Sequence, residues 1–146
     1  MSYCRDLGRD TVSCLFTTSN IMNDRPKISG TRYVLAVKDL ERSVNFYRDK
    51  LGFTSMWADT GWHQLRRDDC IVMLGECPDD RSAFETVNHS YFAYIDVEQI
   101  DALYEELSKA GVDILSGVTD EPWGQREFAI RTVDGHRIRF GQAIDS

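Results

Sequence analysis

The spacing of apolar residues along this chain switches from every second position to every third or fourth position, and it does so twice. The first switch follows a predicted strand from Arg32 to Val37. Asp39 is the predicted N-cap of the next helix, because its carboxylate can accept hydrogen bonds from the free amides of the first turn, and Gly52 is the predicted stop. The apolar face of this helix is formed by Leu40, Val44, Tyr47 and Leu51. Three strands are then predicted, at Phe53–Asp59, Trp62–Arg67 and Cys70–Gly75.

The second half of the chain repeats this plan after a predicted loop at residues 76–88. A strand at Tyr91–Val97 precedes a helix that stops at Gly111. The apolar positions of this helix, again three and four residues apart, are Ile100, Leu103 and Leu107. The remaining predicted segments are a strand near Asp113–Leu115, a long loop through Glu121-Pro122 and a closing hairpin. The sequence therefore predicts two β-α-β-β-β modules, at about residues 30–86 and 88–143.

The closing hairpin has the clearest strand pattern in the chain. Two sets of residues alternate in it, namely Arg126, Phe128 and Ile130 against Glu127, Ala129 and Arg131, as in a strand with two different faces. Asp134 and Gly135 are predicted to supply the positive φ angles of a two-residue turn before the strand returns through Phe140. Tryptophans lie beside this hairpin, at Trp123, and at the end of an earlier one, at Trp62. This placement modestly favours a binding role.

Composition narrows the classes of partner and compartment. The chain has 146 residues, and we predict a single domain at 29–146 after a tail at 1–28 that has no clear period. The formal net charge of −7 argues against a nucleic-acid partner, which needs clustered basic residues. No apolar run approaches membrane-spanning length, so no membrane partner is expected. Because the four cysteines lack Cys-x-x-Cys spacing and are typical of reduced thiols, we expect a cytoplasmic protein.

Three motifs carry a resemblance to a known family. They are Val37–Tyr47 with Leu51-Gly52-Phe53, then Asp101–Leu107, and finally Pro122-Trp123-Gly124 with Arg126–Ala129 and Asp134-Gly135. On these residues the chain resembles the vicinal oxygen chelate superfamily, which includes glyoxalase I, extradiol dioxygenases, fosfomycin resistance enzymes and bleomycin-binding proteins. The resemblance spans roughly residues 30–142. Its third motif, together with Arg67-Asp68-Asp69, is most similar to the bleomycin-binding branch, apart from the extra residue Gln125.

The resemblance implies an α+β fold, in which two βαβββ modules form a cupped, partly open mixed sheet with helices outside. Enzymes of the family hold a metal in the cup with His or Glu on the first strand of each module and Glu on a last strand. Those positions fall here on Arg32, Phe92 and Arg139. A guanidinium has no lone pair to give, so we expect no metal and no cofactor, even if His89 were the true counterpart of Phe92. The three histidines, His63, His89 and His136, lack ligand-like spacing.

Aromatic residues replace a metal in the bleomycin-binding branch, and the resemblance implies the same here. Trp62 falls where relatives carry Phe, Tyr94 where they carry Trp, and Trp123 where they also carry Trp. Because Tyr94 is two residues from Phe92, both are expected to face the cup. The predicted ligand-binding residues are Trp62, Phe92, Tyr94, Trp123, Arg32 and Arg139. Three aromatic residues in a small β protein are, however, also typical of a core.

Charged residues leave two further questions open. Arg32 and Arg139 favour an anionic or carbonyl-bearing ligand, unless acidic neighbours neutralise them. Glu121 and Glu127 could form a carboxylate pair for acid–base chemistry, although Glu127 is more readily explained as the partner of Arg126 or Arg131.

The function predicted from sequence is metal-free binding of a small molecule, an antibiotic or a planar heteroaromatic compound, by sequestration as in bleomycin resistance proteins. The alternative is a metal-dependent, glyoxalase-like lyase or dioxygenase. A third possibility is an accessory protein whose tail docks a partner. A homodimer is expected, because each module leaves an open sheet edge and a half-covered cup.

Overall fold

The computed structural model describes residues 25–86 and 90–145, and within them the order β-α-β-β-β occurs twice. The first module contains β1 (Tyr33–Val37), α1 (Leu40–Asp49), β2 (Thr54–Asp59), β3 (Trp62–Arg67) and β4 (Cys70–Glu76). A single 3-10 turn at Ala83–Glu85 leads to the second module. That module contains β5 (Tyr91–Asp96), α2 (Ile100–Lys109), β6 (Asp113–Asp120), β7 (Gln125–Arg131) and β8 (Arg137–Ala143). Most of the predicted tail, residues 1–24, lies outside the described residues.

The strands form two four-stranded mixed sheets with matching connections. Their orders are β1-β4-β3-β2 and β5-β8-β7-β6, and in each sheet the first strand of the module runs parallel to the last. The remaining pairs are antiparallel. This arrangement confirms the predicted α+β class and the duplication of the βαβββ unit. No helix among the described residues is long and apolar enough to span a membrane.

The two helices begin in different ways, α1 with a local cap and α2 with a contact from a distant strand. The Asp39 carboxylate accepts a hydrogen bond from the Arg42 amide at 2.9 Å, as expected for an N-cap. Helix α2 begins after Gln99, which supplies no side-chain cap, and the free amide of Ile100 instead donates to the Gln142 side chain at 2.8 Å. The start of α2 is therefore stabilised by a residue of β8, which a pattern of local signals could not reveal.

One hydrophobic core extends through both modules. Helix α1 contributes Tyr47, which is fully buried, and the closing hairpin contributes Phe128 and Phe140, whose rings stack at 4.9 Å between centroids. Burial of such side chains stabilises the fold by roughly 1.5–3 kcal/mol each. Because the core occupies the helix side of both sheets, the opposite side of each sheet is left open.

The closing hairpin differs from the predicted two-residue turn. Strand β7 ends at Arg131 and β8 begins at Arg137, and of the Asp134-Gly135 pair only Gly135 has a positive φ angle, of 91°. Asp134 instead turns its carboxylate inward, where it accepts a 2.6 Å hydrogen bond from the Ser43 hydroxyl of α1. The wider connection thus joins the two modules. Strand β6 is also longer than predicted, because it extends to Asp120.

Each sheet has an open face, defined as the side opposite the core. On the first open face Trp57 lies across from Gln64, which shares its side of β3 with Trp62. The large apolar residues exposed on this face are Val34, Met56, Trp57 and Trp62. Those exposed on the second open face or its adjoining loop are Tyr91, Tyr94 and Trp123. The two open faces, with the loop that adjoins the second, carry the exposed aromatic residues of the predicted ligand-binding set, Trp62, Tyr94 and Trp123.

Candidate ligand-binding site

A buried carboxylate organises the second open face. Glu127 of β7 is only 3% exposed, and a charged group is rarely buried to that extent unless it is paired. Its Oε1 atom accepts hydrogen bonds from the Trp123 indole nitrogen at 2.9 Å and from the Tyr94 hydroxyl at 2.8 Å. Its Oε2 atom accepts one from Nη1 of Arg139 at 3.1 Å. Three of the predicted ligand-binding residues therefore converge on a residue that the sequence did not assign to the site.

Strand register explains how Tyr94 reaches this carboxylate. Tyr94 lies on β5 and Glu127 on β7, and β8 runs between them with Gly141 directly opposite Glu127. A Cβ atom at Gly141 would collide with the Tyr94 hydroxyl. The missing side chain lets the phenol ring cross β8 and donate to Glu127. Glycine at this position is thus required by a close approach of a side chain to the strand.

The hydrogen bonds set the protonation states of this cluster. Burial alone would raise the pKa of Glu127, but the donors Trp123, Tyr94 and Arg139 outweigh burial and hold that pKa below its usual value. Burial and the hydrogen bond to Glu127 raise the pKa of Tyr94 to about 12. At neutral pH the cluster therefore contains an ionised carboxylate and a protonated phenol. A general base normally requires a raised pKa, so Glu127 is poorly suited to that role.

Two arginines of β8 share one tyrosine at the other end of this face. The guanidinium carbons of Arg137 and Arg139 lie 5.6 Å and 5.4 Å from the centroid of the Tyr91 ring. Arg139 also donates weakly to the Tyr91 hydroxyl at 3.5 Å. Burial lowers the pKa of Arg139, but its bonds to Glu127 and Tyr91 prevail and raise it above the usual value. The positive charge of Arg139 is therefore largely neutralised by Glu127, the outcome that the sequence left open.

The first open face has a different chemistry. A Cβ atom at Gly75 of β4 would come within 2.8 Å of the Trp62 ring. The absence of a side chain at Gly75 therefore lets the Trp62 indole pack against the backbone of β4. Arg32 donates to the Gln64 side chain at 3.1 Å, and the Gln64 amide contacts the Met56 sulfur at 3.8 Å. Among the described residues Arg32 forms no ion pair, and its bond to Gln64 places a guanidinium on the face that also carries Val34, Met56, Trp57 and Trp62.

The predicted ligand-binding residues therefore separate into two groups. Tyr94, Trp123 and Arg139 meet on Glu127, whereas Trp62 and Arg32 lie on the first open face. Between described residues, no hydrogen bond, ion pair or ring contact joins the two groups.

Phe92 does not lie where the alternation predicted. An irregularity in the pairing of β5 with β8 falls between Tyr91 and Ala93, so the simple two-residue period breaks at Phe92. Its ring packs against the core, edge to face with Tyr33 at 5.4 Å and with His136 at 5.8 Å. The expectation that Phe92 and Tyr94 share a face is therefore wrong, and Tyr91 stands on the open face instead.

The predicted partners of Glu127 were also wrong. Arg126 points to the helix side, where it pairs with Asp101 and Asp120 at 2.8 Å and 2.7 Å. Arg131 pairs with Asp113 at 2.9 Å. The true partner, Arg139, is twelve residues away along the chain and becomes adjacent only because β7 pairs with β8.

Sequence reasoning missed Trp57 and Tyr91 as members of the open faces. A signal for Trp57 existed, because the tight turn that pairs Asp59 with Trp62 also places Trp57 opposite Gln64. No such signal existed for Tyr91, whose direction depends on the irregularity in β5.

Potential metal ligands are scattered through the described residues, where no group of three or more His, Cys, Asp or Glu side chains could hold an ion. His63 shares a 2.6 Å hydrogen bond with the Ser55 hydroxyl, and His136 packs against Phe92. His89 lies outside the described residues, so the possibility raised for it stays open.

Comparison with known proteins gives a consistent result. The sequence model of the Glyoxalase/Bleomycin resistance protein/Dioxygenase superfamily matches residues 31–140. Bleomycin resistance proteins of Geobacillus stearothermophilus and Staphylococcus aureus are each 32% identical over 125 residues, which cover 77% of this chain and 95% of theirs.

Solved structures agree with these sequence matches. The bleomycin-binding protein of Streptomyces verticillus, in complex with copper(II)-bleomycin, is 27% identical with a TM-score of 0.65, and the match covers 84% of this chain and 100% of that one. TioX from Micromonospora sp. ML1 is 22% identical with a TM-score of 0.63, over 81% of this chain and 98% of that one, and this likeness concerns the fold alone.

Proposed function

The chain belongs to the glyoxalase/bleomycin resistance protein/dioxygenase superfamily, and from this membership we propose that it binds a small molecule with a planar ring and sequesters it unchanged. The ligand is an antibiotic of the bleomycin kind or another planar heteroaromatic compound. The relatives named as bleomycin resistance and bleomycin-binding proteins support this class of activity. Trp62, Tyr94, Trp123, Arg32 and Arg139 are the proposed contact residues, and Phe92 is left out because it packs in the core.

The observation that carries this proposal is the position of the tryptophans. The chain has three tryptophans, and Trp57, Trp62 and Trp123 are 49%, 41% and 62% exposed. Tryptophan is highly buried on average, so exposure of the whole set is unusual for a domain with a well-formed core. Aromatic rings in such positions can stack on planar ligands and attract cationic groups. Both open faces therefore offer ring surfaces.

Hydrogen bonding to Glu127 supports binding because it fixes the rings in advance. Immobilising a mobile side chain on binding costs about 0.5–1.5 kcal/mol, and a side chain that is already held avoids part of this cost. Trp123 is 62% exposed, yet its indole nitrogen is bonded to a buried carboxylate. Tyr94 is held in the same way. We infer that these two residues form a preformed wall of the site.

The proposed site uses no divalent metal of its own. Arg139 occupies the position where enzymes of the family are expected to carry a glutamate, and its guanidinium is already bonded to Glu127. A dication placed beside a guanidinium would meet a repulsion on the order of a few kcal/mol at an effective dielectric constant of about 20. Elemental analysis of protein purified without chelator tests this. Stoichiometric zinc, nickel, iron or manganese would instead favour the competing lyase or dioxygenase.

Two further features of the proposal concern assembly and compartment. The exposed apolar residues of both open faces, together with the sheet edges at β2 and β6, favour a homodimer that covers part of these surfaces. Free thiols at Cys70 and Cys77 favour the cytoplasm. Sedimentation that finds only monomer at micromolar concentration would remove the dimer from the proposal.

Titration of the protein with bleomycin and with planar heterocycles, followed by calorimetry and by tryptophan fluorescence, tests the binding function directly. We expect saturable binding with quenching of tryptophan fluorescence, and a loss of affinity of about tenfold or more in Trp123→Ala. Trp123→Phe is the matched control, because it keeps a ring but removes the donor to Glu127, and it should retain more affinity than Trp123→Ala. Absence of binding by every compound of both classes would overturn the proposal.

A further inference from the structure

The charges of the second open face are separated along its strands. At one end Asp96 lies beside Gly141, close to Glu127 and Tyr94. At the other end two residues of β8, Arg137 and Arg139, approach the ring of Tyr91. The surface therefore has an acidic end and a basic end, although the whole chain carries a formal charge of −7.

A third arginine strengthens the basic end. Arg131 of β7 lies directly opposite Arg137 of β8, and like charges in directly opposed positions destabilise a sheet. Asp113 compensates Arg131 through a 2.9 Å ion pair, and Glu127 compensates Arg139 at 3.1 Å. Among residues 25–86 and 90–145, Arg137 has no ion-pair partner, and its Nε atom is buried without a hydrogen-bond acceptor.

The ring beside Arg137 is also accessible. Tyr91 is 38% exposed and Arg137 is half-buried on the same face, so a ligand can contact the ring and the exposed part of the guanidinium together. An arginine that is stacked on an aromatic ring is held in one orientation, and its planar fork matches the geometry of a carboxylate.

We propose that the basic end of this face, formed by Tyr91, Arg137 and Arg139, binds the carboxylate of an aromatic acid. This inference rests on the proposed function, because it names the charge class of the ring-bearing ligand. The ring of the ligand lies toward Tyr94 and Trp123, and its acidic group meets Arg137. A cationic ring compound is disfavoured at this end by the Arg137 guanidinium, which no acidic residue among those described compensates.

Three naphthalene derivatives that differ only in charge test the inference on the intact protein by calorimetry. They are naphthoate, the neutral naphthamide and the cationic naphthylmethylamine. We expect naphthoate to bind about tenfold more tightly than naphthamide, as for one charge-assisted hydrogen bond, and the amine to bind most weakly. Raising the salt concentration should weaken binding of naphthoate more than binding of naphthamide, because salt screens charge.

Substitution of Arg137 locates the effect. Arg137→Gln should reduce the preference for naphthoate over naphthamide from about tenfold to near unity, whereas Arg137→Lys should retain a preference for the acid. Arg48→Gln is the matched control, because it removes the same charge from an exposed position on α1, where the only described residues that Arg48 bonds to are Asn45 and Asp49. It should keep the full preference for naphthoate.

The outcomes separate this inference from the function beneath it. If naphthylmethylamine binds as tightly as naphthoate, or if bleomycin binds and no naphthalene compound does, the charge class is wrong while the binding function stands. If no compound binds, bleomycin included, the proposed function itself fails. The series with the unmodified protein decides this even if Arg137→Gln does not fold.

Discussion

The two open faces have the same backbone plan but different side chains. The first carries mainly exposed apolar side chains, whereas the second is built around a buried, hydrogen-bonded carboxylate. Trp62 lies opposite Gly75 in the first sheet, and Glu127 lies opposite Gly141 at the matching position of the second. Both glycines make room for a ring, but the ring comes from β3 in the first sheet and from β5 in the second. The two modules thus share a glycine at this position of the last strand, but the side chains around that glycine differ.

This difference shows how each face depends on its neighbours. The indole of Trp62 is 41% exposed and makes no hydrogen bond with another described residue, so its position follows from packing alone. Glu127 is a buried charge, which is tolerated only while its partners are in place. The second face should therefore be sensitive to single substitutions that the first face accepts.

The largest effect is expected when the cation of this network is removed. Arg139→Met gives the second sheet the residue that occupies the equivalent position of the first, Met73. It leaves Glu127 buried without its ion pair, and we expect the free energy of unfolding to fall by about 2–3 kcal/mol, below the usual range for a buried pair because Arg139 is partly exposed. Urea denaturation measures it. Met73→Leu, the matched change, should cost less than about 1.5 kcal/mol. Equal losses would contradict the proposed difference.

A smaller effect is expected from filling the two glycine positions. Gly141→Ala should cost about 1–3 kcal/mol, because the new methyl group meets a Tyr94 ring that Glu127 holds in place. Gly75→Ala should cost less, since Trp62 has no such bond and can turn toward solvent. In a double-mutant cycle, Tyr94→Phe should relieve part of the cost of Gly141→Ala by removing the colliding hydroxyl. Additive losses would show that this contact is not the cause.

The pH dependence of stability should distinguish Glu127 from the other buried carboxylate of the second module, Asp134. Since the folded-state pKa of Glu127 is lowered, its ionisation contributes stability above about pH 4.5, the ordinary value, and this contribution is lost as pH falls through the folded pKa. The difference in unfolding free energy between the parent and Glu127→Gln should therefore shrink in acid.

Asp134 should behave in the opposite sense. Burial raises its pKa, with Ser43, His136 and Arg42 only partly offsetting this effect, so ionisation on raising the pH through the folded pKa costs stability. Asp134→Asn should remove that loss. Thermal denaturation between about pH 3 and pH 7 measures both slopes, and slopes of the same sign for the two variants would contradict the assignment.

The smallest effect on stability is expected at the edge of the first open face. Trp57 is 49% exposed on an edge strand, and Trp57→Ala should change the free energy of unfolding by about 0.5 kcal/mol. The same variant should weaken binding of a planar ligand if the first face is a wall of the site. Calorimetry of ligand binding, set beside thermal denaturation, separates the two roles.

The sequence by itself determined the architecture and named many of the residues on the open faces. The helical spacing and the Asp39 cap are local signals, and both were confirmed because nearby residues settle them. The strand alternation held in β7, where Arg126 and Glu127 have partners on opposite sides, but it failed at Phe92 in β5. The exposure of Trp62, Tyr94 and Trp123 is consistent with their assignment to a surface, although their contact with a ligand stays a prediction.

Only the tertiary structure decided how those residues are joined. The irregularity in β5 turned Phe92 inward and Tyr91 outward, and the pairing of β7 with β8 gave Glu127 the partner Arg139 in place of its chain neighbours. The physical reason is that a buried charge is satisfied by whichever donors the sheet register brings within about 3 Å. Register between distant strands is a property of the whole fold, and no local pattern encodes it.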